Sequence, residues 1–298
     1  MALAILLEGW DSVGDLLLGE ANLQRAQQAQ LRQELLGLDE RVARYPQLAN
    51  SALSGDAVGS SAGGEQPKFA IRLRSADGCL PVIVKFSDRA NTPAGQRWAD
   101  LLQCEQLAGV VLREHQLPAA HSEIVHADGR CFLQSTRFDR TARGGRCGVI
   151  SLAALDAAYY AHGRIDWWRW APQLVADGWL DAASAQKLSR LGWFGALIGN
   201  TDMHLRNAAL LLGLGRPLQL APAYDMLPMR YSPRSGEVIE LDEPPPIPMP
   251  TPEQREDWQN AARMATQFWA QVQQHPDISA QFKRIAQSHG EQVLQWLG

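Results

Sequence analysis

The octet NTDMHLRN (200–207) places Asp202 five positions before Asn207, and Asp225 follows in LAPAYDMLP (220–228). Transfer of a phosphoryl group from a nucleotide calls for this set of side chains. One aspartate orients the acceptor hydroxyl and takes its proton, while an asparagine and a second aspartate hold Mg2+ against the phosphates. Lys85 stands in the apolar run PVIVKF (81–86), and a lysine is rarely buried without a partner. It reads either as a strand lysine that neutralises the α and β phosphates or as a strand-end lysine reaching for water. Glu105, inward on a helical stretch, reads as its ion-pair partner or as a surface acid. The stretch GDAVGSSAGGEQPK (55–68) breaks all periodicity. It is a phosphate-covering loop or a flexible connector. Helix capping and turn formation explain any one of the three polar residues. They do not explain all three with Lys85 and the glycine loop upstream.

The elements that must position these residues can be read from periodicity. Residues 20 to 44, rich in Ala, Leu, Gln, Arg and Glu, predict one helix. FAIRLR (69–74) alternates as a half-buried strand, SADG (75–78) is a turn, and CLPVIVKF (79–86) is a second strand. The hairpin they form carries Lys85, with the glycine loop at its base. A helix is predicted from about Pro93 to Arg113, with Trp98, Leu101, Leu102, Glu105, Ala108 and Leu112 on one face. HADG (126–129) turns between two further strands. Residues 150 to 199 read as mostly helical, and the octet then enters a strand, the GLGRP turn and a second strand. DEPPPIPMPTP (242–252) reads as a stiff extended linker. Two amphipathic helices, about 253–273 and 277–297, close the chain. The cluster Trp167, Trp168 and Trp170 is expected to pack the larger lobe, with substrate contact as the lesser alternative.

Composition bounds the class. The chain has 298 residues, enough for one large domain or two modest ones, with apolar and charged fractions typical of a globular protein. A net charge of -4 argues against nucleic-acid binding through bulk charge. Cys79, Cys104, Cys131 and Cys147 form no CxxC pair and no metal-ligand spacing, which suits unpaired thiols in a reducing cytoplasm. The start MALAILLEGW lacks a basic n-region and is not read as a signal peptide. No stretch approaches the roughly 18 apolar residues of a membrane span. The expected location is cytoplasmic, with no membrane and no direct nucleic-acid partner.

The D-x-x-x-x-N spacing of Asp202 and Asn207 repeats that of the protein-kinase catalytic loop. SSAGGEQPK, IVKF, RFDR, NTDMHLRN and LAPAYDMLP, in this order, resemble the HipA-type serine/threonine kinases of bacterial toxin–antitoxin systems. GDLLLGEANLQR (14–25) and DMLPM (225–229) are similar to the YjjJ-like branch, without that branch's N-terminal helix-turn-helix region. The resemblance spans roughly residues 15 to 290. It implies an α+β, two-lobed kinase-like fold: a strand-rich N-terminal lobe over 1–138 and a larger, mainly helical lobe over 139–298. It implies Asp202 as catalytic base, Asn207 and Asp225 as Mg2+ ligands, and Lys85 as the phosphate-contacting lysine. Further ATP contacts are implied at Gly63, Gly64, Gln66, Lys68, Phe138, His204 and Arg206, with Phe138 near the adenine. His204 also reads as a structural residue holding the loop. Ser61, or failing that Ser60, is the implied site of autophosphorylation. The implied partners are a protein substrate such as an aminoacyl-tRNA synthetase and a small helix-turn-helix antitoxin on a separate chain.

Two departures stand out. Family members commonly carry glutamate where this chain has Thr136, which puts the hinge hydrogen bonding in question. Many carry lysine where this chain has Arg206, which keeps the charge. Beside a toxin kinase, the residues also admit a small-molecule phosphotransferase, a metal-dependent phosphohydrolase using Asp202, His204 and Asp225, and an inactive kinase-like module that binds an antitoxin.

Overall fold

In the computed structural model, residues 9–31, 35–54, 66–76, 78–234, 236–239, 244 and 246–297 are described. The helix predicted over 20–44 is two helices, α1 (Glu20–Leu31) and α2 (Arg41–Leu53). Leu36 between them pairs with β1 (Lys68–Ser75) as an isolated bridge to Leu73. Backbone bonds Leu36 N to Arg72 O and Arg74 N to Leu36 O fix that bridge. Helix propensity along 20–44 is thus overridden by pairing to a strand edge.

β1 pairs antiparallel with β2 (Gly78–Phe86), as the SADG turn predicts. The long helix α3 (Pro93–Glu114) follows, with Thr92 accepting from Gly95 N as its N-cap and Pro93 at the first helical position. β3 (Ser122–Ala127) and β4 (Arg130–Thr136) complete a four-stranded sheet of order β1-β2-β4-β3. Their turn has positive φ at both Asp128 and Gly129, the backbone that a two-residue Asp-Gly hairpin requires.

Alternation sorts the sheet's two faces. Val82, Val84 and Phe86 pack with Phe69, Phe132 and Tyr45 of α2 into one apolar cluster. Lys85, out of phase with them, faces α3. The single apolar face predicted for α3 is corrected. Leu102 and Ala99 pack on Cys131 and Leu133 of β4, while Leu101, Ala108 and Leu112 join the larger helical core. Both faces are buried because α3 is wedged between the sheet and the helices that follow.

The second half begins with β5 (Val149–Ser151), a strand not foreseen inside the predicted helical region. Then come α4 (Leu152–Tyr159), α5 (Trp167–Ala176) and α6 (Ala182–Leu197). β6 (Ala209–Leu211) and β7 (Gln219–Leu220) make a small antiparallel sheet with β5, in the order β5-β6-β7. α7 (Arg255–Gln274) and α8 (Ala280–Gln295) close the chain against α6 and α3. Trp167 and Trp170 are core residues as expected, whereas Trp168 is only partly buried and stacks on Trp193 at 4.0 Å. All four cysteines are free thiols. Among the described residues no helix is long and apolar enough to cross a membrane.

Candidate active site

Two lysines stand directly opposite each other across the β1–β2 ladder, Lys68 against Lys85. Like charges in that position repel, so acids must face them. Glu105 on α3 supplies one, with both carboxylate oxygens on Lys85 Nζ at 2.6 and 2.7 Å. Asp225, which follows β7, supplies the other, its Oδ1 also accepting from Lys85 Nζ. The predicted Lys85–Glu105 pair is therefore present, and the surface reading of Glu105 is excluded by its burial. Burial alone would lower the Lys85 ammonium pKa, but Asp225 and Glu105 outweigh it and hold it above its ordinary value. Burial pushes the Glu105 carboxyl up against the pull of Lys85. For Asp225 burial acts upward too, yet Lys85 wins and the carboxyl sits below its usual range. Burial lowers Lys68 despite the nearby Asp225.

The octet is a loop leaving α6 through Gly199, whose φ of +76° is the left-handed conformation that ends a helix. Asn200 is the knot of this loop. Its Oδ1 accepts from Asp202 N at 3.0 Å and its Nδ2 donates to the Asp225 carbonyl at 3.2 Å. Asn207 Nδ2 donates to the Asp202 carbonyl at 2.9 Å, which leaves its Oδ1 as the atom able to meet a cation. Asp202 itself is exposed, with His204 Nε2 at 3.5 Å from its Oδ1. His204 also holds the loop through its carbonyl, which accepts from Asn207 N. The Arg206 side chain is exposed, while its carbonyl takes the Tyr224 hydroxyl at 2.7 Å.

Asp225 has φ +54°, an uncommon backbone for a residue with a side chain, and one that clusters at functional sites. The segment is pinned from both sides. Ala223 exchanges backbone bonds with Pro118 and Ala120 after α3, and Tyr224 lies against Phe138 with ring centroids 5.8 Å apart. At Thr136 and Arg137, the residues before Phe138, both backbone N–H groups are taken, by the carbonyls of His121 and Pro81.

The donor set fits Mg2+. Asp225 offers a carboxylate oxygen and Asn207 an amide oxygen, and among the described residues no three His, Cys, Asp or Glu side chains form a closed metal cage. Mg2+ takes such open sites, completing its shell with substrate phosphates and water. Gln66 Nε2 is a buried donor with no hydrogen-bond partner among the described residues. Ser60, Ser61, Gly63 and Gly64 lie outside the described residues.

Residues 60–296 match the family described as HipA-like C-terminal domain. The chain belongs to that family. It is 35% identical over 294 residues to Toxin YjjJ of Escherichia coli K12, an alignment covering 98% of this chain and 65% of that protein. The chain thus spans just under two thirds of that relative's length. Among solved structures it is similar to HipA in the Shewanella oneidensis MR-1 toxin–antitoxin complex of HipA, HipB and operator DNA. That match has TM-score 0.53 and 18% identity, covering 79% of this chain and 64% of that one. It is also similar to the Helicobacter pylori proinflammatory kinase CtkA, with TM-score 0.50 and 13% identity, covering 78% and 89%. The shared fold is the two-lobed, kinase-like one.

Within this HipA-like domain, sequence reasoning missed two residues. Asn200 was inside the quoted octet, but nothing in the spacing says that it ties the Asp202 loop to the Asp225 segment. Tyr224 lies in the LAPAYDMLP motif, and its link from Phe138 to the octet needs the fold.

Proposed function

We propose that this HipA-like domain is a Mg-ATP-dependent serine/threonine protein kinase and acts as the toxin of a toxin–antitoxin pair. The observation that carries the reading is Lys85 held between Glu105 and Asp225, with Asn200 joining Asp225 to Asp202. The two lobes divide near residue 138. Asp202 takes the proton from the acceptor hydroxyl, and Lys85 and Lys68 neutralise phosphate charge. Asn207 Oδ1 and the Asp225 carboxylate would hold Mg2+, which would supply positive charge to offset the charge that develops on the phosphates. Phe138 and Tyr224 flank the base. Gly63, Gly64 and Gln66 cover the phosphates, and His204 and Arg206 flank them from the octet side.

The acceptor is a protein of translation, such as an aminoacyl-tRNA synthetase, and a small helix-turn-helix antitoxin is the partner chain in the cytoplasm. The glycine-loop serine, Ser61 before Ser60, is the autophosphorylation site. A phosphate there adds roughly -1.5 to -2 charges beside the nucleotide site and repels ATP. Intact mass after incubation with Mg-ATP, compared with Ser61→Ala, tests it.

A small-molecule phosphotransferase is the second reading. It draws on a cleft of about 630 Å³ beside the octet, a volume in the range of small-ligand sites. Radiolabelled ATP and a cell lysate separate the two: label enters a protein band for the kinase and a small product for the alternative. Label only in free phosphate, or equal transfer by Asp202→Asn, sinks the kinase assignment.

A further inference from the structure

The cleft beside the octet has one wall from α5 and the end of α6 and another from the proline-rich segment. Trp168 and Trp193, stacked, line it together with Pro248, Met249, Asn200 and Thr201. The proline-rich stretch is therefore more than a linker. Trp258 Nε1 donates to the Pro248 carbonyl at 2.9 Å and fixes this wall against α7.

The cleft's charge is uneven. Asp166 is engaged by Arg169 at 3.1 Å, an exposed pair at the rim. Arg230 also lines the cleft and has no carboxylate within ion-pair distance among the described residues. Its Nε is buried with no hydrogen-bond partner among them. An arginine in that state is a ready receptor for a carboxylate, which accepts two parallel N–H bonds. The backbone holds Arg230 at a set distance from the octet, since Arg230 N donates to the Gly199 carbonyl at 3.0 Å. Gly199 precedes Asp202 by three residues, so their Cα atoms are at most roughly 11 Å apart, about three residues of extended chain.

We propose that this cleft seats the acceptor polypeptide in extended form. A bulky apolar side chain packs between Trp168 and Met249. Arg230, supported by Arg169, selects an acidic side chain about two to four positions from the phosphorylated hydroxyl. This rests on the kinase reading for the chemistry, but the cleft's preference for acidic peptide stands as a separate matter of binding. Asp202 receives the hydroxyl, and the acid anchors the chain so that the hydroxyl stays there.

The test uses the full chain and serine peptides that differ only in Asp, Ala or Lys at positions two to four from the serine. Anisotropy of a dye-labelled peptide gives peptide affinity without nucleotide, and label transfer from Mg-ATP gives kcat and KM. The acidic peptides are expected to bind about tenfold or more tighter than the alanine peptides, as a charged hydrogen-bonded contact predicts. Arg230→Gln is expected to erase that preference, raising peptide KM while leaving ATP KM unchanged. Arg169→Glu, at an exposed position, is expected to weaken it and to favour the lysine peptides. Equal binding of the acidic and alanine peptides, or an acidic preference that survives both variants, overturns the proposal. Acid-selective binding without label transfer sustains the cleft and sinks the kinase reading instead.

Discussion

Around Asp139, Arg137 and Arg140 close on Asp139 and Asp11 with N–O distances of 2.7 to 3.0 Å. Gly14 N adds a further bond to Asp139, and Arg146 spends its donors on the carbonyls of Trp10, Ser12 and Gly14. Every charged group there has hydrogen-bond partners within the chain. The cluster at Lys85 is also buried and also mixes both signs, but it is left open. Among the described residues, no hydrogen bond reaches Asn207 Oδ1 or the second Asp225 carboxylate oxygen. Burying charge is costly, and a protein offsets the cost by full pairing. Where pairing stops short, the spare oxygens mark what has to come from outside. The Asp139 cluster fastens the N-terminal segment to the RFDR stretch, and the Lys85 cluster is the one proposed to bind.

The comparison breaks most visibly at Asp139. Burial would raise its carboxyl, but Arg137 and Arg140 hold it below the usual range, so it is charged in the folded state. Asp139→Asn leaves two buried guanidiniums short of charge, and a loss of about 3 to 5 kcal/mol in denaturant unfolding is expected. Asp225→Asn should differ in kind. Glu105 still holds Lys85, so the midpoint is expected to move far less.

A buried group kept neutral extends the contrast. His289 accepts or donates to the Tyr231 hydroxyl at 2.8 Å and is pushed down to about 4 by burial. A lowered histidine pKa contributes stability that is complete above the unfolded value near 6.5 and lost as pH falls toward 4. Unfolding free energies measured from pH 7 to 4 are expected to fall by up to about 3 kcal/mol from this group. His289→Gln is expected to flatten part of that slope.

On the activity side, Asp225→Asn, Asn207→Ala and Asp202→Asn are each expected to lose at least about 100-fold in label transfer, about 2.7 kcal/mol of barrier, with the fold kept by circular dichroism. If Asp139→Asn lost activity without losing stability, the division into fastening and binding clusters would be wrong. Glu105→Gln sharpens the picture further. Lys85 keeps Asp225 but loses its orienting partner, and kcat/KM for ATP is expected to drop about tenfold. The smallest effect belongs to Glu123→Ala. It removes the exposed carboxylate at 2.8 Å from Arg41, which keeps its bonds to the Leu38 carbonyl and Gln134, and a change below about 1 kcal/mol is expected in thermal unfolding.

Much of this was legible from residue type and spacing. Alternation located β1 and β2 and therefore the face that Lys85 must take, because a strand repeats every two residues and Val84 and Phe86 had to go to the core. The Asp-Gly turn announced β3 and β4. Other features were decided only by what packs on what. The break between α1 and α2 comes from Leu36 pairing with β1, a contact that helix propensity cannot register. β5 is three residues long and exists because β6 lies beside it. The double burial of α3 follows from being caught between a sheet and a bundle. The residues of the site were present in the sequence as separate polar positions, since each type carries its own chemistry. Their convergence was not. Lys85 meets Asp225 across 140 positions of chain, and Asn200 joins two loops that no local pattern connects. Hydrogen bonds act over about 3 Å, so such meetings are fixed only when the fold brings distant backbone together.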